Sequence, residues 1–219
     1  ELGVFLPMQE ELSPLFQPLH LGKHTAANRI ALQPMEGSDG LEDGTPGELT
    51  WRRYERFAKG GAGIVWAEAM AVLQEGRANP RQLYINEQTA DDFARLVERI
   101  KTICLKENGY EPLVIAQLTH SGRYSKPEGT PAPLIAYHCA TLEASNPIDD
   151  SRIVTDDYLE TVQEKLIAGA QLAERCGFDG ADIKCCHRYL LCELLSAYNR
   201  PGKFGGSFEN RTRLFRTAV

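Results

Sequence analysis

Near the C-terminal end of the chain, the segment DIKCCHRYLL brings together side chains that can handle negative charge and protons: Lys184, His187 and Tyr189. A protonated lysine donates a charged hydrogen bond to a developing oxyanion. A tyrosine with its ordinary pKa of about 10 is protonated at neutral pH and can act as a general acid. Each has a structural alternative, because Lys184 shares a strand face with Asp182 and could form a buried ion pair with it, and Tyr189 could pack in the helix that follows.

A second chemically useful side chain is Gln117, near the end of an apolar run. Side chains alternate along a strand, so Leu113, Ile115 and Gln117 share one face. The two apolar residues are expected to fill an interior, and the amide is expected at its mouth, where it offers both a donor and an acceptor. The alternative is that this amide only satisfies local backbone groups.

Strand-like and helix-like segments alternate along the chain, which predicts a parallel sheet with helical crossovers. The predicted elements are strands at Ile30–Gln33, Gly63–Ala69, Leu113–Leu118 and Gly180–Lys184, and helices at Thr50–Lys59, at Thr89–Asn108, after the N-cap Thr155, and from Phe208 to Val219. Residues 1–14 show no convincing period and are expected to form an arm outside the fold. The proline-rich loop Lys126–Asp150 is long enough to be a lid, or it is a disordered excursion.

Four segments resemble, in order, the flavin-site motifs of the old yellow enzyme family of flavoprotein oxidoreductases. They are NRIALQPM (28–35), AEAMAV (67–72), IAQLTHSGR (115–123), and FDGADIKCCHRYLL with GGSFENRTR (between 178 and 213). The resemblance implies an α/β fold, a (β/α)8 TIM barrel, with residues 15–219 supplying about its first four β/α units. A closed barrel takes about 250 residues. We therefore expect a truncated form of a longer protein, or else completion by a second copy or another subunit.

The resemblance assigns an FMN site to the ends of the first three strands. It implies that Pro34 and Met35 lie under the flavin ring, that the small Ala69 lets the ring approach the backbone, and that Gln117 binds the imide edge. Glu36 departs from the family, where a small polar residue is usual. An ionised carboxylate there would disfavour an anionic reduced flavin, so Glu36 points away, or is protonated, or lowers the flavin potential.

The resemblance also assigns the catalytic residues. The family has a HxxH or HxxN pair that donates to the substrate carbonyl, followed by a proton-donating tyrosine. Here Lys184 and His187 occupy the pair and Tyr189 is the proton donor, so the lysine is the departure. Arg188 stands where glycine is common, which leaves the shape of the loop open.

Other motif residues are expected to be structural rather than catalytic. His120 and Arg123 in QLTHSGR are expected to position their loop, and Asn28 precedes the outgoing end of its strand. The residues of GGSFENRTR, Gly205–Arg213, are expected to brace the loop and the last helix.

What the resemblance implies is a two-step reaction with FMN as the cofactor. NADH or NADPH binds transiently, since there is no GxGxxG fingerprint for a domain of its own, and passes hydride to the flavin. An α,β-unsaturated carbonyl compound, the small-molecule partner, then receives hydride from the flavin and a proton from Tyr189, with ping-pong kinetics. Two alternatives remain: a cofactor-free half-barrel with an assembly or regulatory role, because the phosphate-binding loops after strands seven and eight are lacking, or an aldolase using Lys184 as a Schiff-base amine.

Composition argues against several partners. The net charge is −6 and there are no Lys/Arg-rich runs, so neither nucleic acid nor a membrane is expected.

The six cysteines show no paired CxxC spacing, which predicts no metal site and reduced, mostly buried thiols. No apolar run reaches about 20 residues, and the start lacks a basic region, which predicts a cytoplasmic protein. We expect a homo-oligomer.

Overall fold

A parallel sheet of four strands organises the chain. The structure is a computed structural model and describes residues 9–219. The strands are β1 (Leu19–Leu21), β2 (His24–Ala26), β3 (Ala31–Leu32), β4 (Ile64–Ala71), β5 (Leu113–Thr119) and β6 (Gly180–Ile183). The parallel sheet has the strand order β3-β4-β5-β6. The helices are α1 (Glu48–Lys59), α2 (Ala90–Asn108), α3 (Ala140–Glu143), α4 (Asp156–Arg175), α5 (Leu190–Leu195), α6 (Phe208–Arg211) and α7 (Arg213–Ala218).

The two faces of the sheet have different environments. On β5, Val114, Ala116 and Leu118 are completely buried on the face covered by helices. Leu113 and Ile115, on the opposite face, are only half-buried. Helices on one face of a parallel sheet are the arrangement of a (β/α) barrel, whose interior closes only when all eight strands are present. The structure is therefore the first half of such a barrel, as the sequence predicted.

The long helices follow from their apolar spacing and their caps. In α2, Phe93, Leu96, Val97 and Ile100 recur on one face and are buried. The helix ends at Gly109, whose left-handed conformation (φ 84°) suits glycine. Helix α4 begins as predicted, with the side chain of Thr155 accepting a hydrogen bond from the Tyr158 amide at 3.1 Å.

Three of the predicted elements are shorter than expected or divided. The predicted strand Ile30–Gln33 is only Ala31–Leu32, an edge strand whose partner among residues 9–219 is β4. The predicted strand Gly180–Lys184 ends at Ile183. The predicted helix from Phe208 is divided into α6 and α7 at Thr212, whose hydroxyl bonds back to the Phe208 carbonyl at 2.8 Å.

The predicted elements did not include the hairpin, α3 or the bounds of α5. Strands β1 and β2 form an antiparallel hairpin that turns at Gly22 (φ 59°). Helix α5 follows Tyr189, where a helix was expected without bounds, and α3 is a short helix within the loop Lys126–Asp150. Of the predicted N-terminal arm, residues 1–8 lie outside the described residues. Residues 9–12 are exposed, and Ser13–Phe16 form one turn of 3-10 helix with no buried residue.

The loop Lys126–Asp150 is anchored to the fold rather than disordered. Ile135 forms a parallel bridge with Ile153, and both Ile135 and Ala136 are fully buried. The Ala136 amide donates to the Glu193 carboxylate at 3.0 Å, which joins this loop to α5. Its action as a lid stays a prediction.

The cysteines are less buried than predicted. All six are free thiols, but only Cys104 and Cys176 are buried, while Cys186 is exposed. The side chains of the other three, Cys139, Cys185 and Cys192, are partly buried. Among residues 9–219, no helix combines the length and the apolar character that crossing a membrane requires.

Candidate active site

The carboxyl ends of β4, β5 and β6 place three site residues in one row. In the register of the sheet, Ala69 lies opposite Gln117, and Gln117 lies opposite Asp182. A shift in the pairing between Trp66 and Ala69 sets this alignment. The Gln117 side-chain nitrogen donates to Asp182 Oδ2 at 2.6 Å. Gln117 is therefore held by a carboxylate rather than by local backbone.

A charged cluster lies beside this row. Lys184 Nζ is 2.9 Å from Glu36 Oε1, and the Tyr189 hydroxyl donates to the same oxygen at 3.4 Å. The ammonium also lies 4.6 Å from the centre of the Tyr189 ring, within the range of a cation–π contact. One carboxylate oxygen thus joins the two side chains assigned to oxyanion binding and proton donation.

The ion pair between Glu36 and Lys184 connects the two edges of the sheet. Glu36 follows β3 and Lys184 follows β6, which are the two edge strands of the sheet. Edge strands separated by two others lie about 14 Å apart in a flat sheet, given a strand spacing of about 4.8 Å. The curvature of the sheet and the length of the two side chains bring their charges together.

One structural alternative from the sequence is wrong, and another is right about a buried ion pair but wrong about its partner. Glu36 does not point away from the site, because its carboxylate accepts from Lys184 and Tyr189. Lys184 forms a buried ion pair, but its partner is Glu36 rather than Asp182, whose carboxylate accepts from Gln117. The side chain of Lys184 is 3% exposed and that of Glu36 is 19% exposed, so solvent reaches the pair only from the Glu36 side.

Tyr189 is turned towards the cluster and not packed within the following helix. It is the N-cap residue of α5 and precedes that helix. Burial, together with the negative charge of Glu36, raises the pKa of Tyr189 to about 12. The phenol is protonated at neutral pH and retains a proton to donate.

His187 lies on the solvent side of the same loop. Its ring is exposed and stands edge-on to the Tyr189 ring, with 6.3 Å between the ring centres. Within residues 9–219, its side chain makes no hydrogen bond or ion pair. His187 and Arg188 both adopt the left-handed conformation, each with φ 57°. The loop therefore has, at Arg188, a backbone shape that glycine would adopt without strain.

Sequence reasoning missed Gln82, which supports the cluster from beneath. This buried amide donates to Glu36 Oε2 at 3.3 Å and to the Ala69 carbonyl at 3.2 Å. The side-chain oxygen of Gln82 accepts from the Ala78 backbone amide at 2.6 Å. Nothing in the local pattern around Gln82 marks it, because its partners come from the ends of two different strands.

Glu68 and Arg53 were also missed, and they fix the loop that carries Glu36. Glu68 is buried on β4, accepts from the Gly37 amide at 2.8 Å, and pairs with Arg53 at 2.6 Å. Arg53 pairs as well with Asp39 at 2.8 Å. Burial raises the pKa of Glu68 while the Arg53 guanidinium opposes that rise. An acidic residue within the apolar strand AEAMAV was the signal available in the sequence.

The neighbouring motif residues hold loops together. His120 is completely buried, and its Nδ1 accepts from the Gly122 amide at 3.1 Å. Its Nε2 therefore carries the proton and donates to the Tyr158 hydroxyl at 2.8 Å. Burial lowers the pKa of His120 to about 4, so the ring is neutral. Arg123, also buried, pairs with Glu193 and Glu143.

Asn28 and the GGSFENRTR segment make structural contacts. The Asn28 amide donates to the Gly61 carbonyl at 2.8 Å and accepts from the Gly63 amide at 2.8 Å, which ties β3 to the start of β4. Arg211 donates to the carbonyls of Leu195 and Gly206, and so connects α6 to the end of α5.

The concave face of the sheet retains polar groups suited to a flavin. Trp66 Nε1 and Thr119 Oγ1 are buried and have no hydrogen-bond partner among residues 9–219. Both lie on the same face as Gln117, whose side-chain oxygen also has no partner in the described part of the chain. An isoalloxazine edge with donors and acceptors fits such a surface. Gln117, Ala69 and the backbone at Pro34 and Met35, with Met35 76% exposed, are the residues that would hold the ring.

Four parallel β/α units with a polar cluster at the carboxyl ends of their strands define a TIM-barrel protein with its site in the usual place. A sequence model of the NADH:flavin oxidoreductase / NADH oxidase family matches residues 14–219, and the chain belongs to that family. The resemblance to old yellow enzymes is confirmed.

The chain is similar to individual members over most of its own length. It is 34% identical over 209 residues to an NADPH dehydrogenase of Bacillus licheniformis, covering 94% of this chain and 58% of that protein. The solved structure of an old yellow enzyme homologue from Zymomonas mobilis superposes with a TM-score of 0.75 at 26% identity, covering 93% of this chain and 58% of that one. A 2-naphthoyl-CoA reductase shares the fold, with a TM-score of 0.78 at 21% identity, covering 94% and 32%. The chain thus spans somewhat more than half the length of the first two relatives.

Proposed function

We propose that this chain forms the ring-binding and substrate-binding half of an FMN-dependent oxidoreductase that reduces the C=C bond of α,β-unsaturated carbonyl compounds. The observation that supports it most directly is the cluster of Lys184, Glu36 and Tyr189 beside Gln117. It combines a charged donor and a protonated phenol at the strand ends where this fold carries catalysis.

The chemistry that FMN supplies when bound is the transfer of a hydride, taken from NADH or NADPH and delivered to the β-carbon of the alkene. NADPH is the favoured donor, because the Bacillus relative is an NADPH dehydrogenase. Gln117 orients the ring through the amide groups that Asp182 leaves free.

The chain's own residues act on the carbonyl end of the substrate. An ammonium has three N–H donors, and Glu36 takes one of those of Lys184, so two remain for a carbonyl oxygen. His187 can add a second donor from the exposed side of the loop. Tyr189 gives its proton to the α-carbon, and the tyrosinate regains a proton from water. Hydride and proton together saturate the double bond.

Replacing Tyr189 with phenylalanine tests the role of the phenol in the flavin-loaded protein. Reduction of the enzyme by NADPH should stay within about twofold of wild type, since no proton donor is needed in that step. Reoxidation by cyclohexenone should slow by about 100-fold, the usual size of a general-acid contribution. Stopped-flow absorbance of the flavin measures both steps separately.

The matched control is Tyr198→Phe, because Tyr198 is exposed and lies against Arg211 outside the cluster. It should leave both steps unchanged. Equal slowing of both steps in Tyr189→Phe would refute the proton-donor role. Purified protein without flavin bands would favour the assembly role, and borohydride trapping of a carbonyl compound on Lys184 would favour the aldolase.

A further inference from the structure

Glu36 accepts one of the three N–H donors of Lys184 and places a negative charge beside the other two. We propose that Glu36 makes the site selective for uncharged α,β-unsaturated carbonyl compounds, such as ketones and aldehydes, and against α,β-unsaturated carboxylates. This inference rests on the proposed function and specifies its substrate class.

The Glu36 carboxylate lies next to the groups that would bind the substrate oxygen. Glu36 Oε1 lies 2.9 Å from Lys184 Nζ and 3.4 Å from the Tyr189 hydroxyl, so any substrate oxygen bound by Lys184 lies close to this carboxylate. Gln82 holds the other carboxylate oxygen at 3.3 Å. The negative charge is therefore held in place from both sides.

The charge of Lys184, the cation of this cluster, is already matched by Glu36. Arg53, beside the loop that carries Glu36, is likewise paired, with Glu68 and Asp39. A neutral carbonyl can accept one of the free N–H donors of Lys184 without changing this balance. A carboxylate substrate would add a second negative charge beside Glu36, and the single charge of Lys184 cannot balance both.

The expected loss of affinity for a carboxylate follows from the repulsion between like charges. Like charges a few ångströms apart in a partly buried site repel strongly, and the partial exposure of Glu36 reduces this repulsion. We expect a carboxylate to bind at least about tenfold more weakly than a neutral compound of the same shape, since tenfold in affinity is a modest electrostatic difference.

The test uses benzamide and benzoate, which have nearly the same shape and differ in charge, with the flavin-loaded protein. Calorimetry should show that wild type binds benzamide at least about tenfold more tightly than benzoate. Glu36→Gln should raise the affinity for benzoate, relative to the affinity for benzamide, by about 10-fold to 100-fold. Glu36→Asp keeps the charge and should keep the selectivity. Glu164→Gln, an exposed position on α4 with the same change in net charge, should behave as wild type.

Kinetics separate a failure of this inference from a failure of the proposed function. Wild type should reduce cinnamaldehyde with a higher kcat/KM than cinnamate. Glu36→Gln should lower the ratio of these two kcat/KM values by at least tenfold. The role of Glu36 would be overturned if Glu36→Gln still reduced cinnamaldehyde but kept the wild-type preference for cinnamaldehyde over cinnamate. It would also be overturned if wild type bound benzoate and benzamide equally tightly. No reduction of cinnamaldehyde by the flavin-loaded wild type would instead overturn the proposed function.

Discussion

The loops after β5 and β6 contain similar residues, but the environments of their histidines differ. Each carries a histidine, His120 in one and His187 in the other, and each places a residue at φ 57° close behind it, Gly122 in one and Arg188 in the other. In the β5 loop the histidine is buried with both ring nitrogens bonded. In the β6 loop the histidine is exposed beside Tyr189.

The difference shows that one loop supports the other. The His120 carbonyl accepts from the Leu190 amide at 3.2 Å, directly behind Tyr189. A Cβ atom at Gly122 would lie 2.7 Å from the same Leu190 nitrogen, so only glycine allows this approach. In the β5 loop, His120 and Arg123 are held by contacts within the fold, whereas in the β6 loop the side chain of His187 makes no hydrogen bond among residues 9–219.

The comparison predicts the largest stability loss in the β5 loop, at Arg123. Arg123→Leu leaves Glu193 and Glu143 without their cation, one of them deeply buried, and should lower the free energy of unfolding by about 3–5 kcal/mol. Urea denaturation measures the change. The double variant Arg123→Leu/Glu193→Gln should recover part of the loss, because it removes the most buried unpaired charge. A loss below about 1 kcal/mol would contradict a supporting role for this loop.

Burial of the neutral His120 ring should make the folded protein less stable at acid pH. Its folded pKa of about 4 lies below the ordinary value of 6.5, so below pH 6.5 the unfolded chain binds a proton that the folded protein does not. This contribution to stability is complete above pH 6.5 and falls as the pH drops towards 4, by up to about 3 kcal/mol at about 1.4 kcal/mol per pKa unit. Denaturation at several pH values should show the fall, and His120→Asn should flatten it.

His138 provides a control of opposite sign for that experiment. Hydrogen bonds to Glu143 and Asp150 raise the pKa of His138, so its stabilisation is present at low pH and is lost as the pH rises through the folded pKa. His138→Asn should therefore leave the fall in stability between pH 6.5 and pH 4 unchanged, and should remove a loss of stability that wild type shows as the pH rises above 6.5. If His138→Asn flattened the fall below pH 6.5 as His120→Asn does, His120 would not be the origin of the acid sensitivity.

The smallest predicted effect tests the backbone of the β6 loop. Arg188→Gly removes the cost of a left-handed side-chain residue, about 1–2 kcal/mol, and adds the entropy cost of glycine, about 0.5–1 kcal/mol. The net result should be a gain of up to about 1 kcal/mol in thermal or urea unfolding. Gly122→Ala in the β5 loop is the contrasting variant and should destabilise. Destabilisation by Arg188→Gly would mean that the arginine side chain contributes more than its backbone strain costs.

The long elements could be predicted from the sequence because their signals are local. Strands β4 and β5 and helices α2 and α4 lie within two residues of the predicted bounds, since alternation, apolar periodicity and caps act over neighbouring residues. The hairpin of β1 and β2, the extent of α5 and the division at Thr212 could not. Short elements are stabilised by contacts with distant parts of the chain, and no local period marks them.

The residue types at the strand ends, Gln117, Lys184 and Tyr189 among them, were determined by the sequence alone, as was the parallel α/β order that brings strand ends to one edge. The tertiary structure decided their partners. Lys184 had a carboxylate two residues away at Asp182 but pairs with Glu36, 148 residues distant, because the curved sheet places that charge nearer its ammonium. Which groups meet, and which histidine is buried, depends on distances in space that local patterns do not contain.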